Sequence, residues 1–104
     1  MTIQINTDKT ISGEKRSIDF FTSQIAEALQ RFESHITRIE VHLKDENGKK
    51  DGFNNVSCLI EARLEGRQPI AITNQANTID LAVSGAIDKI KTAMETILGR
   101  IQKH

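Results

Sequence analysis

Apolar and polar residues alternate at the start of the chain, with Ile3 and Ile5 on one side and Thr2, Gln4 and Asn6 on the other, which predicts a short half-buried strand. The period then lengthens. Ile18, Phe21, Ile25, Ala28, Leu29 and Phe32 recur at intervals of three and four, a spacing that lines one side of a helix and predicts it over residues 15–33. From Ile36 the period returns to two, so Ile39, Val41 and Leu43 face one way and Arg38, Glu40, His42 and Lys44 the other. Residues 45–52 are rich in charge and turn formers and lead into a second alternating run, Val56, Cys58, Ile60, Ala62 and Leu64, so a long hairpin is expected. A tighter turn at residues 65–68 opens a last strand over 69–73, where Ile70 and Ile72 share a face. Pro69, which lacks a donor for the ladder, belongs at a strand start or an edge.

The final element has the strongest pattern. Ile79, Val83, Ala86, Ile87, Ile90, Met94, Ile97, Leu98 and Ile101 keep helical spacing for about six turns, with Asn77 or Thr78 placed to cap the start. Glycine costs roughly 1 kcal/mol inside a helix, so Gly85 points to close packing on the sheet and Gly99 to fraying near the end. The order is β-α-β-β-β-α. Two amphipathic helices and four strands hide their apolar faces together when both helices lie on one face of one sheet, which makes the fold class an α+β two-layer sandwich with an open sheet face.

At 104 residues and 38% hydrophobic content the chain has material for one modest core, so a single domain over 1–104 is expected. Fourteen basic and fourteen acidic side chains cancel, and any RNA contact must come from locally clustered charge. The lone cysteine, Cys58, excludes an internal disulfide and fits a reducing cytoplasm. Polar residues interrupt every apolar pair near the N-terminus and no later stretch is long enough to span a bilayer, so a soluble, untargeted protein with no membrane partner is expected.

Candidate chemistry is sparse. His35, His42 and His104 lack the short spacing of zinc ligands, so no metal is expected. Cys58 alternates in register with Val56 and Ile60 and should fill core space as a protonated thiol. Asp45, Asn47 and Asp51 resemble the start of a calcium loop, but Gly48 comes two positions early and Val56 stands where a bidentate glutamate belongs. No glycine loop cradles a phosphate and no serine sits in a nucleophile context, so neither an enzyme, a cofactor nor a small-molecule substrate is expected. Charge patterning remains. Arg38, Glu40, His42 and Lys44, with Ser57, Leu59, Glu61, Arg63 and Glu65 on the neighbouring strand, should share the open sheet face in cross-strand pairs. Lys89, Lys91, Arg100 and Lys103 on or after the second helix, and Lys15, Arg16 and Arg31 on the first, offer phosphates contacts that Asp80, Asp88 and Glu95 dilute. The aromatics Phe20, Phe21, Phe32 and Phe53 form no strand pair for base stacking, so RNA would be met through backbone and shape.

Three segments, ITRIEVHLKDENGKK (36–50), CLIEARLEGRQPIAIT (58–73) and TIDLAVSGAIDKIK (78–91), resemble the bacterial ribosome-associated inhibitor and hibernation-promoting factor family. The resemblance covers nearly the whole chain and is closest to a short branch that ends soon after the second helix. It implies a fold like that of a double-stranded-RNA-binding domain. It also implies docking on the small ribosomal subunit in the messenger and transfer RNA channel, where occupancy blocks translation and protects idle ribosomes. The helix-two match carries Lys89, Lys91 and Arg100 over as RNA contacts. Relatives continue with a dense series of Arg and Lys after the Asp-Lys pair, whereas this chain has Thr92, Ala93, Met94, Glu95, Thr96, Ile97 and Leu98, which implies fewer phosphate contacts.

Two other readings remain. A protein-interaction or dimerising module of the same fold should show an uncharged apolar patch, around Phe20, Phe53 or Ile97, Leu98 and Ile101. A ligand-binding or enzymatic domain should show a pocket lined by convergent polar groups.

Overall fold

Strand β1 (Thr2–Thr7) is followed by helix α1 (Lys15–Ala28), a 3-10 helix (Gln30–His35), strands β2 (Ile36–Asp45), β3 (Val56–Leu64) and β4 (Ile70–Ala76), and helix α2 (Ile79–Gln102). This computed structural model describes the backbone of residues 1–7, 15–45 and 56–102 and the side chains of 1–7, 17–45 and 56–98. The α+β order is the expected one. The four strands form one sheet in the order β1-β2-β3-β4. β1 and β2 are parallel and the other two pairs antiparallel. A parallel neighbour cannot be reached by a tight turn, so α1 serves as the crossover between β1 and β2.

Both helices cover the same sheet face. Ile39, Val41 and Leu43 of β2 and Val56, Cys58, Ile60, Ala62 and Leu64 of β3 are buried there. They pack in one cluster with Phe21, Ile25, Leu29 and Phe32 below and Val83, Ala86, Ile90, Met94 and Leu98 from α2. No polar or charged side chain is buried among the described residues, so the core is held by apolar area and fit. Burial pushes the Cys58 thiol up to about 12, which keeps it protonated.

Three boundaries depart from the expected pattern. The first helix does not run to residue 33. Its α-helical part ends at Ala28, Leu29 takes φ −106° and ψ 11°, and the chain continues as the 3-10 helix to His35. Residues three apart eclipse in 3-10 geometry, so Leu29 and Phe32 both stay buried. An interval of three fits either helix type, which is why the period alone does not separate them. In β2, Ile36 pairs with Leu64 but Arg38 pairs with Arg63, a bulge that leaves Thr37 as the extra residue. The slip turns even-numbered Ile36 into the core beside odd-numbered Ile39, and the Thr37 hydroxyl donates to the Arg63 carbonyl at 3.1 Å. β4 runs three residues further than expected, to Ala76, because its ladder with β3 holds as far as Val56 opposite Ala76.

Two glycines meet specific demands. Gly66 sits at φ +73° in the β3–β4 turn, where the Arg67 amide donates to the Leu64 carbonyl at 3.4 Å, a backbone conformation that disfavours a side chain. At Gly85 an added Cβ would lie 2.2 Å from Asn74 Nδ2. That amide donates to the carbonyl of Ala82 at 3.2 Å and reaches toward Leu81 at 3.4 Å, so the side chain of β4 binds α2 through space the glycine leaves open. Thr78 caps α2, its hydroxyl accepting from the Leu81 amide at 3.1 Å. The helix continues through Gly99 to Gln102. A cost of roughly 1 kcal/mol is small against several turns of buried apolar contact.

Candidate nucleic-acid interface

Helix α2 presents its cations on opposite flanks. Lys89 and Lys91 are two residues apart, about 200° around a helix. Lys89 is exposed on the β4 flank, and its Nζ donates to the Thr73 carbonyl at 3.0 Å, so this ammonium is tied to the edge strand. Lys91 is half-buried on the other flank, in a groove of about 450 Å³ that it lines with Glu27, Ala28, Gln30 and Arg31.

Arg31 stands in the 3-10 helix rather than on α1, because the α-helix has ended before it. Its guanidinium lies over the Phe32 ring, 4.7 Å from the centroid, and Nη2 donates to Glu95 Oε2 of α2 at 2.9 Å. The pair bridges the groove between the two helical elements. Arg31 and Lys91 are thus the two expected contact residues that the fold brings together. Lys15, Arg16 and Arg100 have backbone positions in α1 and α2, but their side chains lie outside the described residues, as does Lys103 altogether.

The open sheet face is ordered differently from the expected cross-strand pairing. Arg38 stands opposite Arg63, and Glu40 opposite Glu61, so direct neighbours across the strands carry like charge. The pairs run along each strand instead, Arg38 Nε to Glu40 Oε2 at 2.7 Å and Arg63 Nη2 to Glu61 Oε1 at 3.7 Å. Residues two apart on a strand share a face, which lets this happen. Arg38 also donates to Gln4 of β1. Its hydrogen bond, helped by the Arg38, Arg63 and His42 charges, holds the Glu40 carboxyl below its ordinary 4.5 despite some desolvation. Glu65, expected on this face, lies beyond the end of β3 in the turn.

The other readings meet less. Among the described residues no three His, Cys, Asp or Glu side chains gather as metal ligands. His104 and the loop carrying Asn47 and Asp51 fall outside the described residues. A depression of about 790 Å³ at the β3–β4 turn is lined by Leu64, Gly66, Arg67, Gln68, Pro69 and Ile97, none of which is an acid or a histidine. Of the expected apolar patch, Phe20 is 60% exposed, but Leu98 is buried in the core and Ile97 is half-buried. Phe53 and the Ile101 side chain are outside the described residues. No helix of the described residues is long and apolar enough to cross a membrane. Two interactions lie beyond sequence reasoning, Lys89 to Thr73 and Arg31 to Glu95, because each joins separate elements and no periodicity encodes which flank of α2 meets which neighbour.

Residues 10–102 match the family model described as Sigma 54 modulation protein / S30EA ribosomal protein. No curated protein matches closely enough to count as a relative. Among solved structures, the N-terminal domain of Protein Y from Thermus thermophilus superposes with a TM-score of 0.74 at 17% identity, over 93% of this chain and 99% of that one. A ribosomal subunit interface protein from Coxiella burnetii gives 0.68 at 13% identity, over 95% and 99%. At these identities the likeness is one of fold.

Proposed function

The chain belongs to the Sigma 54 modulation protein / S30EA ribosomal protein family, and from that premise we propose that it is a ribosome-associated hibernation factor that inhibits translation by occupying the small subunit. The family match across residues 10–102, which takes in α1, the three-strand meander and all of α2, carries the reading. Its place of action is then the cytoplasm, and its partner is ribosomal RNA in the channel that messenger and transfer RNA use. No bond is made or broken in that mechanism. The protein works by filling space and by placing cations against phosphates.

The charge arrangement supports a moderate, salt-sensitive association. A formal net charge of zero provides no long-range pull, so affinity rests on local contacts from the groove holding Arg31 and Lys91, from Lys89, and from the basic positions 15, 16, 100 and 103. Co-sedimentation with purified small subunits over a salt series tests this. Binding at low salt that fades as salt rises, and that bound messenger and initiator transfer RNA prevent, is the expected result. Absence of binding at the lowest salt would sink the ribosome reading, and binding indifferent to messenger and transfer RNA would move the site out of the channel. Changing Lys89, Lys91 and Arg100 together to glutamine spares the apolar stripe of α2, so a folded variant should bind more weakly. Its salt slope should be shallower by roughly 0.7–0.9 for each phosphate that is no longer neutralised.

A further inference from the structure

We propose that Glu95 is a built-in counter-ion that competes with RNA phosphate for Arg31 and so sets the affinity of the helical face; the physiological ligand in this inference rests on the ribosome reading above. The guanidinium and the carboxylate meet at 2.9 Å while remaining 62% and 43% exposed. An ion pair this exposed is weakly held and opens readily to a competitor. The Phe32 ring centroid lies 4.7 Å from the guanidinium carbon and favours the cation over its face, and the guanidinium bonds through its fork of N–H donors. A carboxylate and a phosphate accept from that same fork of donors. Glu95 therefore occupies a position that a phosphate oxygen would take.

The surroundings make the exchange productive. Lys91 precedes Glu95 by one helical turn on α2 and lines the groove with Arg31. A phosphate that displaces Glu95 meets two cations, whereas in the free protein Glu95, paired with Arg31, and Glu27, which lines the groove, offset them. Glu95 thus lowers the charge that this face presents until a ligand strong enough to replace it arrives. Every phosphate that takes Arg31 must first displace Glu95, so the ion pair lowers the affinity of the groove for all such ligands by a common factor.

The experiment compares the full chain with Glu95→Gln, Arg31→Gln and the double variant, on two probes: purified small ribosomal subunits and a short mixed-sequence RNA duplex. Glu95→Gln should bind both probes about two- to fivefold more tightly, the ceiling set by what an exposed ion pair can hold, with a steeper salt dependence. The gain should vanish when Arg31→Gln is also present. Unchanged duplex affinity in Glu95→Gln overturns the inference, and so does a gain that persists in the double variant, since removal of a negative charge alone would then explain it. If the unaltered chain fails to bind subunits while Glu95→Gln still tightens on the duplex, the ribosome reading fails and the counter-ion role stands.

Discussion

The inner and open faces of the sheet come from the same strands, one residue out of step, yet they treat a titratable group in opposite ways. On the inner face the Cys58 thiol is fully buried and desolvation pushes it up to about 12. On the open face the Arg38 hydrogen bond draws Glu40 below 4.5. Burial decides the chemistry of the first and pairing that of the second. The inner face therefore contributes through area and fit, which are slow to forgive change, and the open face through charge contacts that water and salt can replace.

The largest expected break in that contrast comes from Ile60, fully buried at the centre of β3. Ile60→Ala should cost about 2–5 kcal/mol, read as a lowered urea midpoint at unchanged slope. A loss below about 1 kcal/mol would mean that the helices collapse onto the gap and that the inner face forgives change after all. Next comes alkaline stability. The folded Cys58 pKa is raised above its ordinary 9.0, so its contribution is complete below pH 9.0 and is lost as pH climbs toward about 12, because only the unfolded thiol ionises in that window. Thermal melts of the unaltered chain should fall faster with pH above 9.0 than those of Cys58→Ala; parallel curves would remove desolvation as the cause.

A smaller effect lies at the sheet edge, where Asn74 reaches under α2. Asn74→Ala should cost on the order of 1 kcal/mol for its bonds to the helix carbonyls. Gly85→Ala should be harmful beside Asn74 and neutral or stabilising without it, since a helical alanine is favoured by about 1 kcal/mol once the clash is gone. Additive losses in the double variant would show that the close approach does not couple them. Smallest of all is the open face. Glu40 has its folded pKa lowered, so its contribution is present above 4.5 and lost as pH falls below that value. Glu40→Gln should flatten the acid limb of the melt slightly, and added salt should erase the difference.

Alternation makes the inner face readable from the chain alone. Cys58, Ile60 and Ala62 fall where a period of two puts them, and Thr78 and Gly85 do what their positions in front of and inside an apolar stripe imply. The misreadings share a cause. Ile36 breaks parity through a bulge opposite Arg63, and the 3-10 stretch keeps an interval of three that an α-helix also allows. Both are one-residue changes in winding, to which a hydrophobic pattern is nearly blind. The open face is legible in composition but not in direction, because whether Arg38 turns to Glu40 or across to β3 depends on a register that places like charges opposite each other. In the groove, Arg31 and Lys91 are legible as cations. Their meeting place, and the claim of Glu95 on one of them, depend on how the 3-10 helix sits beside α2.

The parallel pairing of β1 with β2 has a consequence for the order in which the molecule assembles. Strands β2, β3 and β4 join neighbours in sequence, and α2 follows at once, so their contacts close short loops. β1 reaches β2 only across the whole of α1, Thr2 pairing with Arg38, and must close a long loop at one edge of the sheet before any ladder bond repays the lost chain entropy. The meander with α2 is then the cooperative unit that forms first, and β1 docks last and undocks first. Native-state hydrogen exchange should find the β1 amides opening at lower free energy than those of β3.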